Sequence, residues 1–167
     1  MRGTKGDSRA GLGVGLILGL FAATSANTAF ADSMIVGRQT SQPIGHYEFC
    51  KANPRECTIR PRDDGALRLT DELWTLINEV NLRVNKAVAP QSDIDNYGLD
   101  EVWTYPDSGR GDCEDYALEK RRQLSKGGIS LADLLITVVR KPDGEGHAVL
   151  TVRTDKGDYV LDNLSDE

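Results

Sequence analysis

Three residue types that can share a covalent mechanism occur in order along this chain. Cys113 stands in Gly111-Asp112-Cys113-Glu114-Asp115-Tyr116, His147 opens a strand-like run, and Asp162 closes the next one. The segment after Gly111 reads as the start of a helix. A sulfur placed there meets unpaired backbone N–H groups and the positive end of the helix dipole, which favours the thiolate, the nucleophilic form. The bland alternative is a buried, inert cysteine. Its neighbours Asp112 and Glu114 are poor core formers and argue against that.

A cysteine nucleophile needs an imidazole to take its proton and later return it to the leaving amine. The chain has two histidines. His46 lies in an irregular arm, whereas His147 follows a glycine-rich turn at the mouth of a strand. The imidazole in turn needs an acceptor to orient it. Asp162 can serve if the two strands pair suitably. A hairpin centred near Thr154-Asp155 puts His147 opposite Asp162. A turn at Lys156-Gly157 is chemically better but offsets the pair by four positions on one face. The triad therefore requires the first register or a bulge. Neighbouring Asn163 points to the other face of a regular strand, so Asp162 is the expected orienter.

The elements that must position these groups are readable from periodicity. Thr70 caps a helix over 70–89, with Asp71 and Glu72 in its first turn and Leu73, Leu76, Ile77, Val80, Val84, Ala87 and Val88 at helical spacing. Pro90 stops it. Asn78, Asn81 and Asn85 on this helix read as a solvated flank. Residues 90–111 form a long connection carrying Asp93, Asp95, Asp100 and Trp103, and such loops are often functional. A second helix spans about Asp112 to Lys126 and ends at Gly127-Gly128. Three strands follow, over Leu134–Arg140, His147–Thr154 and Tyr159–Asn163. Helices first and an antiparallel meander after them predict an α+β fold.

The remaining cysteines lie in 46–66, which reads as loop. Cys50 and Cys57 flank Asn53-Pro54 and are expected to form a disulfide; a zinc site lacks the further ligands it needs, His46 being weak support. Cys113 is then the cysteine left over. Residues 1–31 read as an export signal, with Arg2, Lys5 and Arg9 before an uncharged apolar stretch over 10–24 and Ala29-Phe30-Ala31 at the cleavage point. The single domain is then 32–167, in a periplasmic or secreted, disulfide-permitting location and free of the membrane after cleavage. A net charge of −6 argues against a nucleic-acid partner.

Together, Gly111 to Leu118 (GDCEDYAL), His147-Ala148-Val149-Leu150 and Tyr159-Val160-Leu161-Asp162-Asn163 resemble the bacterial transglutaminase-like cysteine peptidases. Asp100-Glu101-Val102-Trp103 and Lys120-Arg121 fit the same pattern, and the likeness covers about 46–163. The resemblance implies a papain-like or transglutaminase-like core, with Cys113 as nucleophile, His147 as base and acid, and Asp162 as orienter. Well-understood members are periplasmic, calcium-dependent proteases that release a biofilm adhesin, which implies a protein or peptide substrate such as a cell-surface protein. It also implies calcium at Asp112, Glu114 and Asp115. Three carboxylates on one helix turn cannot supply the ~6–8 ligands calcium takes, so Asp93, Asp95 or Asp100 would have to add to them. Charge complementarity at the helix N-terminus explains Glu114 and Asp115 equally well. No organic cofactor is expected. The family usually continues with further strands where this sequence stops at Glu167, which predicts an exposed edge at the Asp162 strand and a domain that is either C-terminally incomplete or minimal.

The leading expectation is a thiol hydrolase working through a thioester, with the Cys113 N–H and Trp103 or a residue of its loop as oxyanion donors. A transferase with an amine acceptor, and a non-catalytic binding module of the same fold, are the competing readings.

Overall fold

The computed structural model describes residues 33–35, 38–58 and 61–166, and the expected export signal 1–31 lies outside them. Helices come first and a meander last. The helices are α1 (Ile44–Ala52), α2 (Pro54–Thr58), α3 (Asp71–Ala87), α4 (Asp93–Tyr97) and α5 (Cys113–Lys126). Short strands β1 (Ala89–Pro90) and β2 (Arg110–Gly111) pair in parallel and clamp the two ends of the long connection. After a 3-10 turn at Leu131–Asp133 come β3 (Leu134–Arg140), β4 (Gly146–Thr154) and β5 (Gly157–Leu161), an antiparallel sheet in the order β3-β4-β5. The fold is α+β. No helix among the described residues is long and apolar enough to cross a membrane.

α3 forms where its stripe predicts. Thr70 Oγ1 accepts the Leu73 N–H at 3.2 Å, replacing one of the hydrogen bonds a helix start lacks. Ile77, Val80 and Val84 bury against Tyr116, Ala117 and Leu124 of α5 and Leu150 and Val152 of β4. Burial of each such side chain is worth about 1.5–3 kcal/mol, so this interface fixes α5 against the sheet. β4 is buried along both faces from His147 to Val152. α5 packs against the sheet through that core, while Thr151 Oγ1 reaches the sulfur of Met34 at 3.9 Å and bonds Thr137 at 2.8 Å.

Two expectations fail here for tertiary reasons. The 46–66 segment is not loop throughout, because α1 and most of α2 wrap the disulfide and bring Phe49 onto Trp103 and Leu118. The asparagines of α3 are not all solvated: Asn81 is buried, and Asn85 Nδ2 donates to the Asp162 carbonyl and to Asp166 Oδ1, both at 2.9 Å.

Candidate active site

The site lies where the start of α5 meets the start of β4. Cys113 is the first residue of α5 and is half-buried. Gly111 lets the chain pass close to the Asp115 side chain, because a Cβ there would sit 2.5 Å from Asp115 Oδ2. His147 is the second residue of β4 and is 7% exposed. Cys113 and His147 line the same open cleft of about 660 Å3, with Gly111, Arg110, Lys141 and Asn163 on its walls. They also share a smaller cavity of about 200 Å3 with Trp103, Glu101 and Pro43.

The His147 Nε2–H donates to Asp162 Oδ1 at 2.8 Å. Neither expected hairpin register produces this pair. Thr154 pairs with Gly157 and Leu150 with Leu161, so the turn is Asp155-Lys156 and the offset is intermediate. β5 ends at Leu161, leaving Asp162 free to lean diagonally towards the histidine. Diagonal neighbours on one face are within reach of long side chains. Leu164 N–H also donates to Oδ1 at 3.0 Å. Burial pushes the Asp162 carboxyl up, but Leu164, His147 and the Lys120 charge outweigh it and hold the group below the usual range. Asn163 lines the cleft and makes no such bond to the histidine.

The surroundings of Cys113 are the reverse. The Cys113 thiol donates to Glu114 Oε2 at 3.1 Å. Burial first, then the Glu114 and Asp112 carboxylates, push it up to about 12, against the lowering effect of the Ala148 N–H. The expectation that the helix start favours thiolate is therefore corrected. Burial, with carboxylates within one turn adding to it, outweighs a diffuse half-charge at the helix end.

Those carboxylates form a cluster. Oxygens of Asp93, Asp112 and Glu114 all lie within 4.8 Å of one another. Asp93 Oδ2 accepts the Val102 N–H, while Asp93 Oδ1 and Asp112 Oδ1 are buried and without a hydrogen-bond partner among the described residues. Burial and then the Glu114 charge push Asp112 up to about 7. Burial, then the Asp112 charge among others, also raises Asp93. Of the residues expected to hold calcium, Asp112 and Glu114 are in this group and Asp115 is not. Asp115 is fully buried and accepts the Thr104 N–H at 2.9 Å, tying the connection to α5. Asp93 joins the group from the connection. Asp95 instead accepts the Ser92 hydroxyl at 2.9 Å in the first turn of α4, and Asp100 lies outside the group.

Cys50 and Cys57 are joined (S–S 2.02 Å), so their sulfurs are not thiolates and His46 beside them has no metal set to complete. Trp103 lines the smaller cavity, but its Nε1–H donates to Glu101 Oε2 at 3.2 Å. Sequence reasoning missed Asn85, which holds the Asp162 backbone. Its signal was present, since it falls one turn beyond the buried Asn81.

The family model described as bacterial transglutaminase-like cysteine proteinase matches residues 36–167. No curated protein matches the chain.

Proposed function

The chain belongs to the bacterial transglutaminase-like cysteine proteinase family, and on that premise we propose that it hydrolyses peptide bonds through Cys113, His147 and Asp162. The observation that carries this reading is the 2.8 Å bond from His147 to Asp162 beside a cleft that Cys113 also lines. Bonding through Nε2 leaves Nδ1 as the nitrogen that exchanges a proton with the sulfur. Cys113 Sγ attacks the substrate carbonyl, and its proton passes to His147. The carbonyl oxygen, negative in the tetrahedral intermediate, takes the Cys113 backbone N–H. The C–N bond breaks as His147 protonates the leaving amine, and a thioester remains. Water, deprotonated by His147, releases the acid and restores the thiol. The arrangement of a cysteine opening a helix against a histidine strand is papain-like or transglutaminase-like in this reading.

Asp93, Asp112 and Glu114 suit calcium, a hard cation taking oxygen ligands. Their fit rests on the two unpartnered buried oxygens and on the burial, with mutual charge behind it, that raises all three carboxyls. When bound, the cation supplies the positive charge this cluster lacks. Export of the enzyme to the periplasm or beyond belongs to the same proposal, supported by the disulfide. The substrate is a protein or peptide, with a cell-surface protein the fitting source.

The test is peptide-library cleavage with calcium present, read by mass spectrometry in water enriched in 18O. The reading expects new C-termini carrying 18O, absent in Cys113→Ala. No cleavage, or cleavage that survives Cys113→Ala, contradicts it; transfer to added amines without 18O uptake replaces hydrolysis with transamidation.

A further inference from the structure

The Cys50–Cys57 disulfide is not sealed in the core. Both cysteines are half-buried, and both line an open cavity of about 490 Å3 whose wall also carries His46, Glu56, Arg121 and Leu118. His46 stands one turn before Cys50 on α1, so the ring and the sulfur share a face. Its Nδ1–H donates to Gln42 Oε1 at 2.8 Å, which leaves Nε2 with a lone pair, 3.8 Å from Cys50 Sγ. A ring nitrogen and the two sulfurs all lie within 4.8 Å of one another. A staple that only closes a loop needs no base beside it. Structural disulfides resist reduction, whereas exposed ones exchange with thiols.

The same disulfide is tied to the candidate site. It joins α1 to α2, and both its cysteines pack against the buried cluster of Phe49, Trp103 and Leu118. α1 presses on Trp103: a Cβ on Gly45 would collide with the indole, and His46 meets the ring edge-on with centroids 5.4 Å apart. Trp103 in turn walls the smaller cavity that Cys113 and His147 share.

We propose that this disulfide is a thiol–disulfide exchange site for a dithiol reductant, and that opening it slackens the Trp103 wall of the Cys113–His147 cavity. One thiol of the reductant attacks Cys57 Sγ. The S–S bond breaks, a mixed disulfide forms, and the electron pair leaves on Cys50 Sγ. His46 Nε2 takes the proton of the attacking thiol and hands it to Cys50. The second thiol of the reductant then displaces Cys57 and closes the reductant's own disulfide, its proton passing to the Cys57 sulfur. Two electrons and two protons have moved from the reductant to the pair. The effect on substrate rests on the peptidase reading; the exchange itself does not.

The test uses the full chain, with dithiothreitol as the dithiol and mass spectrometry after alkylation to read Cys50 and Cys57. Reduction is expected at a rate that low concentrations of denaturant leave unchanged, and to slow about tenfold in His46→Ala. In Trp74→Phe, where Trp103 is the one remaining tryptophan, reduction is expected to shift the tryptophan emission. In the parent it is expected to raise KM for a cleaved peptide several-fold with kcat little changed. Reduction that proceeds only as the chain unfolds overturns the exchange site, and this arm needs no variant. Folded His46→Ala reduced as fast as the parent overturns the part given to His46. Trp103 emission and KM both unmoved by reduction overturn the link to the cavity. A parent that cleaves no peptide in either redox state counts against the peptidase reading alone, because the reduction rate and the emission are read without substrate.

Discussion

The two halves of the site are built on opposite principles. On the sheet side, His147 and Asp162 satisfy each other, with Leu164 N–H and Asn85 fixing the aspartate. On the helix side, Cys113, Asp112, Glu114 and Asp93 crowd acids together and leave buried oxygens without partners. A satisfied polar network is rigid and ready; an unsatisfied one is unstable until something neutralises it. The contrast gives the proposed base a finished, bonded pair with its carboxylate and leaves the proposed nucleophile among acids that lack positive charge.

The largest expected effect comes from breaking the finished half. Asp162→Ala is expected to lower peptide cleavage by about 10²–10⁴-fold, as loss of an orienting acid does in related triads. A loss below tenfold would mean that the hydrogen bond is not used. The unfinished half is sharpened by adding the missing charge. Calcium at ~100 times its dissociation constant is expected to add about 2.7 kcal/mol of stability, seen as a rise in Tm that chelator reverses. Glu114→Gln or Asp93→Asn should remove that rise; an unchanged Tm with calcium in the parent protein counts against the cation site.

Two smaller effects lie outside the contrast and delimit it. Cys50→Ser with Cys57→Ser removes a seven-residue closure, which is expected to cost about 2–3 kcal/mol. Denaturant unfolding measures this, and alkylation of Cys113 in the folded variant should persist. The last effect is a pH trend, confined to alkaline solution. Burial holds the Lys120 ammonium down to about 8 from 10.5. Between those values the folded protein has released a proton that the unfolded chain still binds, so stability rises with pH there. Lys120→Met should flatten that rise in chemical unfolding at successive pH values.

The sequence made much of this arrangement legible, and the limits have physical causes. The α3 stripe, its Thr70 cap and the helix beginning at Cys113 are local features, and local periodicity reports them. The pairing of His147 with Asp162 was expected, but in the wrong register. Turn chemistry favoured Lys156-Gly157, whereas the strands close over Asp155-Lys156. Register is settled by which residues the core buries, Leu150 and Leu161 among them, and that is a property of the assembled sheet. Asn85 reads as part of a solvated flank by type, and only the C-terminal segment folding over it gives its amide the Asp162 carbonyl and Asp166 carboxylate as partners. The thiol's environment differs from the expectation because a helix terminus is visible in one segment, while the burial that chiefly raises the thiol is a property of the packed chain.

The central claim is that Cys113, His147 and Asp162 work as one unit. Its most direct measurement is the rate of Cys113 alkylation near neutral pH, with and without calcium, in the parent protein, His147→Ala and Asp162→Asn. The account predicts modification confined to Cys113, faster with calcium, and slowed by about 10²-fold or more in His147→Ala. Equal rates in the parent and His147→Ala would contradict it.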